Sequence, residues 1–246
     1  MKALKMGVGN SKLTKDVATF DMSAGWTCPY AKDCGDKVDQ KTGNLIKNPS
    51  AKFRCFAATS ELMSPAARRK RWYNFQLIKS QKTSDLMAEL IINSIKLDKK
   101  VSETKKFRIH TSGDFFSQKY FDAWVKVAQS MPEKIFYAYT KSLKFWVNRL
   151  GDLPENFHLT ASYGGKTDIL IEKHNLKNTV IVFSLKEAND KGLEIDHDDT
   201  HCYDRNCTKF ALLIHGTQPA GTETMKAIMK LRDEGIMGYN RNKQRV

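Results

Sequence analysis

Five cysteines fall in two polar stretches, Cys28, Cys34 and Cys55 in the first quarter of the chain and Cys202 and Cys207 far downstream. None sits inside an apolar run, where an inert buried cysteine is usually found. Thiols gathered in loops act as metal ligands or as disulfide partners. Met1 to Met6 lead into no apolar stretch of the kind a secretory signal carries, and no apolar run approaches the roughly 18 residues of a membrane span. The expectation is a cytoplasmic protein without a membrane span. In that reducing compartment thiolate–metal chemistry is favoured over structural disulfides.

Three cysteines in one loop system meet the count for a [4Fe–4S] cluster with one iron left open for catalysis. Cys202 or Cys207 would supply a fourth ligand and close it. Zinc is the alternative, with Cys28, Cys34 and Cys55 joined by Cys202, Cys207 or His201 in a closed tetrahedral set. The paired C-x2-C knuckles usual for zinc are missing. Spacing alone leaves iron–sulfur, zinc and no metal all open. The run Asp196-His197-Asp198-Asp199-Thr200-His201 offers imidazole and carboxylate ligands for a second metal, or an acidic surface loop with capping aspartates.

These residues need a scaffold, and the chain supplies a regular one. Val17–Asp21, Phe107–Thr111, Ile135–Tyr139, Phe157–Ala161, Thr179–Phe183 and Phe210–Ile214 read as strands, rich in β-branched and aromatic residues. Helical patterns fall between them, over Pro65–Ile78, Ser84–Leu97, from about Ser117, over Leu143–Leu150, Asp168–His174 and Thr222–Arg232. From Ser117, Phe121, Trp124, Val125 and Ala128 recur at helical spacing on one face. Strands alternating with helices predict an α/β fold with a parallel sheet, either open or curled into a partial (β/α) barrel. No repeat or Pro/Gly-rich linker divides the 246 residues, so one domain is expected over 1–246. A cysteine-bearing loop occupies about 26–56, and its Asp36–Lys52 segment is a polar surface excursion.

In parallel α/β folds function gathers beyond the carboxyl ends of the strands. There the chain places Cys28 and Cys34, then Ser112, Gly113 and Asp114, then Thr140 and Lys141, then Ser162, and last His215. Asp114 is a site carboxylate or the cap of the helix that follows. His110, within an apolar strand, reads as a hydrogen-bonded core histidine.

The net charge is +14, and most of the excess lies in residues 1–106, with 21 Lys and Arg against 10 Asp and Glu. Such a basic half attracts polyanions, so a nucleic acid or nucleotide is a candidate partner. Arg68, Arg69, Lys70 and Arg71 run into Trp72 and Tyr73, basic groups beside rings able to stack on bases. The same run also fits a solvated helix face with its rings turned inward. No G-x-x-x-x-G-K-[ST] phosphate loop and no G-x-S-x-G elbow occurs, which removes the commonest nucleotide hydrolase and serine hydrolase signals.

Several stretches together resemble the phage gene-product-88-like family. They are Thr27-Cys28-Pro29 with Cys34, Arg54-Cys55-Phe56-Ala57-Ala58, Ser112-Gly113-Asp114-Phe115-Phe116-Ser117, Tyr137-Ala138-Tyr139-Thr140-Lys141-Ser142, Leu159-Thr160-Ala161-Ser162 and Ile195-Asp196-His197-Asp198-Asp199. That resemblance implies membership and no particular activity. A more distant one is to radical S-adenosylmethionine enzymes, which use a partial (β/α) barrel. Three cysteines after their first strand hold a [4Fe–4S] cluster, and a glycine-acid stretch after the second meets the cofactor. It implies that Cys28, Cys34 and Cys55 hold the cluster and that Ser112, Gly113 and Asp114 face S-adenosylmethionine. The spacing departs from that family, C-x5-C-x20-C in place of C-x3-C-x2-C.

Overall fold

The computed structural model describes residues 2–10 and 12–236. A short strand β1 (Gly7–Val8) lies antiparallel to β2 (Val17–Asp21), and a small hairpin, β3 (Lys37–Val38) and β4 (Leu45–Ile46), interrupts the cysteine loop. Four helices follow: α1 (Phe56–Met63), α2 (Pro65–Lys79), α3 (Ser84–Leu97) and α4 (Lys99–Ser102). From there strands and helices alternate: β5 (Lys106–Ser112), α5 (Gln118–Ser130), β6 (Ile135–Thr140), α6 (Leu143–Val147), β7 (Phe157–Ser162), α7 (Ile169–Lys173) and β8 (Asn178–Val182). Then come α8 (Leu185–Asp190), α9 (Thr200–Tyr203), β9 (Lys209–Leu213) and α10 (Glu223–Asp233).

The main sheet has the order β1-β2-β5-β6-β7-β8-β9, and the six strands from β2 to β9 are mutually parallel. The order never reverses. Crossovers between parallel strands are right-handed, so a sheet wound in one direction receives its helices on one face. That face holds the main core, where Phe20, Phe107, Ile109, Phe136 and Leu159 meet Phe121 and Trp124 of α5. Helix α5 forms where its pattern requires: Ser117 caps it by accepting from Tyr120 N, and its apolar stripe is buried throughout. Alternate strand residues point the other way. There Tyr137 and Phe210 pack with Leu13, Val17 and Cys202, so residues near 13 and near 202 cover the second face.

The expected strands and helices stand within a residue or two of their sequence positions, except that the helix from Leu143 stops at Val147. The Asp36–Lys52 excursion is not bare loop; it carries the β3–β4 hairpin. One feature of β5 bears on the site. Phe20 pairs with Ile109 but Asp21 pairs with Ser112, so His110 and Thr111 bulge out, with His110 at φ 64°. The bulge turns the His110 ring to the helix side, where Nε2 lies 2.9 Å from Tyr120 Oη. It also re-aims the end of the strand.

Candidate metal centre

The cysteine loop leaves β2 and is clasped by the exits of three other strands. The first clasp is at β5. Met22 N donates to Ser112 O at 2.9 Å, and Ser112 Oγ donates to Met22 O at 2.8 Å. Gly113 then crosses Thr27 so closely that a Cβ would stand 2.5 Å from Thr27 Oγ1, and its φ of +90° also demands glycine. Cys28 is thereby fixed beside Asp114. The second clasp is at β7, where Lys32 N and Asp33 N both donate to Gly164 O, at 3.1 and 2.9 Å, next to Cys34. The third is beyond β9. Arg54 N donates to Gln218 Oε1 at 2.8 Å and Gln218 Nε2 donates back to Arg54 O at 3.0 Å, while His215 packs on Phe56 with ring centroids 4.6 Å apart. These contacts hold the residues on both sides of Cys55.

Within the loop, Asp36 ties the last two thiol segments together. Its carboxylate accepts from Cys55 N at 3.1 Å and from Asn48 N at 2.9 Å, and Asn48 Nδ2 donates to Cys34 O. All three thiols are free and half-buried. Burial pushes Cys28 well up, and Asp114, Cys55 and Cys34 oppose its ionisation further. Burial raises Cys34 too, with Lys141 pulling the other way. Cys55 is pushed up to about 12, again by burial first and then by Cys34. The three thiols therefore stand within electrostatic reach of one another, and of Asp114 and Lys141.

Asp114 does not cap the helix after it; Ser117 does. Its buried carboxylate accepts from Thr140 Oγ1 at 2.6 Å, Lys141 N at 2.9 Å and Phe115 N at 2.7 Å. Burial raises it even so. Lys141 extends its ammonium onto the β7 exit, donating to Ser162 O at 3.0 Å, Ser162 Oγ at 2.7 Å and Tyr163 O at 2.6 Å. Ser112, Gly113, Asp114, Thr140, Lys141 and Ser162 thus gather round the three N-terminal cysteines. His215 stacks on Phe56 next to Cys55, but the charges that act on it, Lys12, Arg108 and Asp199, belong to the second face, and burial first pushes it down to about 4. Among the described residues, no group of three or more His, Cys, Asp or Glu side chains is arranged to hold a metal ion as it stands.

The downstream cysteines lie elsewhere. Cys202 is buried on the second sheet face, 3.3 Å from Thr160 Oγ1, and burial first, with Asp199 adding, pushes it up to about 12. The largest charges acting on Cys202 are Arg108 and Asp199, and on Cys207 Lys177 and Asp204. The Asp196–His201 run is likewise engaged with its own surroundings. Arg108 NH1 donates to Asp199, Lys12 pairs with the same carboxylate, and Tyr139 Oη donates to Asp196 at 2.9 Å and Asp199 at 3.2 Å. Burial works against its charge, but Arg108 and Lys12 hold Asp199 below the usual carboxylate range. Sequence reading missed Arg108, and it placed Tyr139 at a strand exit without its partners Asp196 and Asp199. Alternation along β5 and β6 marks Arg108 and Tyr139 as facing away from the helices, but nothing local shows what they meet.

The basic run is largely internal. Arg71 is buried, donating to Ala57 O at 2.9 Å and meeting Glu61 at 3.4 Å. Glu61 in turn accepts from Ala24 N, and burial raises it to about 7. Arg68 donates to Glu61 O, Lys70 lies 3.7 Å from Asp21, and Trp72 packs between Trp26 and Phe75. Arg69 alone of the four is exposed. The run anchors α2 to the cysteine loop and to β2.

Among known proteins, this chain is similar to the Gene 88 proteins of Mycobacterium phages L5 and D29, 32% identical to each over 90 residues. That stretch is 35% of this chain and spans 38% of the length of each relative. No solved structure matches. With a family model, Gene product 88, matching residues 2–232, the chain belongs to that family.

Proposed function

We propose that the chain is a phage-type iron–sulfur protein resembling radical S-adenosylmethionine enzymes, with a [4Fe–4S] cluster on Cys28, Cys34 and Cys55 and a nucleic acid or nucleotide as substrate. The observation that carries this reading is the clasped loop. Three thiols, far apart in sequence, are brought to the mouth of a parallel sheet by the exits of β5, β7 and β9. The donor set is all sulfur, which suits iron–sulfur chemistry. Six parallel strands in chain order also suit a sheet curled into a partial (β/α) barrel. The phage origin of the relatives favours a host cytoplasm as the place of action.

With three protein thiolates, such a cluster supplies single electrons and leaves one iron for a small-molecule ligand, S-adenosylmethionine in the enzymes it resembles. The chain's own residues do the rest. Cys28, Cys34 and Cys55 would hold the cluster as thiolates, giving up the protons that burial favours. Lys141, fixed by Ser162 and Tyr163, places a positive charge beside Cys34. Asp114, held on three donors, presents a fixed carboxyl between Cys28 and the β6 exit. His215 and Phe56 close the side next to Cys55.

Elemental analysis and electron paramagnetic resonance on protein purified without oxygen test this reading. Iron and labile sulfide are expected in the wild type, with loss of both in Cys55→Ala and retention in Cys202→Ser. Zinc in their place would leave a closed structural site. Protein with neither metal would end the proposal.

A further inference from the structure

The cysteine loop also has an outward face, and it carries a lysine-rich concavity. A cleft of about 370 Å³ is lined there by Trp26, Cys28, Lys32, Lys37, Lys47 and Lys166, with backbone from Gly25 and Gly35. No carboxylate lines it. The four lysines come from separate segments: Lys32 from the loop after Cys28, Lys37 from β3, Lys47 just after β4 and Lys166 from beyond the β7 exit. Among the described residues none of the four enters an ion pair, whereas Lys52, close by, is neutralised by Asp33 at 2.8 Å. Lys166 Nζ donates to Pro29 O, which leaves its charge uncompensated. Trp26 is 38% exposed at the edge of this cleft. Its Nε1 donates to Val38 O at 3.0 Å and its ring leans on Trp72, so its orientation is fixed.

We propose that this cleft binds single-stranded nucleic acid, with the phosphates on Lys32, Lys47 and Lys166 and a base stacked on Trp26. Charge of one sign, gathered round a rigid aromatic ring, is the arrangement that tracks a phosphate backbone and stacks an unpaired base. The volume suits one or two nucleotides and excludes a duplex. Lys37 lies over the Trp26 ring at 4.7 Å. An exposed cation–π contact is weaker than base stacking, so a base displaces the ammonium, which turns to a phosphate on its flexible stem. Acidic protein would satisfy the lysines but leave the ring unused. Cys28 forms part of the wall, so a bound strand lies beside the thiols. This deepens the substrate half of the proposed function and rests on that reading only for the strand being a substrate. Binding itself is measured separately from metal content, so the two can fail independently.

The test uses the full chain and a fluorescein-labelled oligodeoxythymidylate, with anisotropy read across a salt series and tryptophan emission followed in parallel. Binding that weakens with salt and quenches tryptophan is expected. In Lys32→Ala/Lys47→Ala/Lys166→Ala the slope of log K against log salt should fall by about 2, at roughly 0.7 per lost phosphate contact. Trp26→Leu should weaken binding about 5- to 150-fold, as loss of one stacked base does. Arg69→Ala should leave both unchanged. Failure to bind at about 50 mM salt, or a slope the triple variant does not alter, overturns the proposal. Displacement by polyglutamate as effective as by unlabelled oligonucleotide, without quenching, overturns it in favour of an acidic protein.

Discussion

The rim at the strand exits and the floor on the second sheet face are both buried, polar and furnished with cysteine, yet they are balanced differently. On the floor, Asp199 meets Arg108 and Lys12, and its carboxyl is held low. The charges cancel inside the protein. At the rim, burial pushes Cys28, Cys34, Cys55 and Asp114 up, and Lys141 is the one cation named among the groups acting on Cys34. Acids kept ionised by the protein's own cations form a finished structural cluster. Thiols whose ionisation burial opposes gain from a cation brought from outside, because binding it supplies the missing counter-charge. Burial pushes Cys202 and Cys55 alike up to about 12, so what separates Cys202 from Cys28, Cys34 and Cys55 is its neighbours: Arg108 and Asp199 act on it, whereas the rim thiols act on one another.

The largest expected effect breaks the floor. Arg108→Ala leaves the buried Asp199 with Lys12 and the Tyr139 hydroxyl but without its guanidinium, and strands the Tyr139 ring without its cation. Removing one partner of a buried pair costs about 3–5 kcal/mol. In a chain of this size that lowers Tm by roughly 6–20 °C. Metal content should not change. A Tm within about 2 °C of wild type would show that the floor is not balanced by this pair.

Acid should reveal the same imbalance more gently. His110 is pushed down to about 3, by burial first and then by the charge of Arg108. An unfolded histidine titrates near 6.5, so below that pH the unfolded chain binds the extra proton and the folded one does not. Stability therefore falls as pH drops from 6.5 towards 3, by up to about 1.4 kcal/mol per pH unit for this residue. Asp199 adds to the loss at the acid end, since its contribution disappears as pH falls through its lowered folded value. Glu61 acts in reverse: raised to about 7, it stabilises the fold at low pH and loses that contribution as pH climbs from 4.5 through 7. Thermal melts from pH 6.5 to 4 should show a net decline, and His110→Gln should flatten it. A variant that keeps the wild-type slope would assign the decline to other groups.

Much of the scaffold was legible because its signals are local. The alternation of Phe107, Ile109 and their neighbours, and the stripe of Phe121, Trp124, Val125 and Ala128, each declare one element and its buried face. The rim residues were legible for a related reason: once strands are parallel, their exits share an edge, so Asp114, Lys141 and Ser162 follow from position alone. What stayed hidden depends on tertiary pairing. Arg71 looks like surface charge until Glu61 is seen beside it. The bulge at His110 has no decisive sequence mark: histidine is enriched among the few non-glycine residues with a positive φ, but one histidine inside an apolar strand does not announce it. The lysine cleft is the clearest case, for its members lie up to 134 positions apart and no run of basic residues announces it.

The smallest expected effect sharpens the comparison from the other side. Cys207 is half-buried, and its Sγ makes one weak contact, donating to Lys209 O at 3.7 Å. Burial is the first cause of its raised pKa, and Lys177 works against it. Lys177 and Asp204 are the largest charges acting on it, so it has the chemistry of a ligand without a cluster of thiols as its leading neighbours. Cys207→Ser should change stability by no more than about 0.5 kcal/mol. Iron bound per chain should equal that of wild type, while Cys34→Ser, at similar exposure, should lose it. A Cys207→Ser protein depleted of iron would join the two cysteine groups after all, and would require the loop beyond α9 to reach the rim when metal is present.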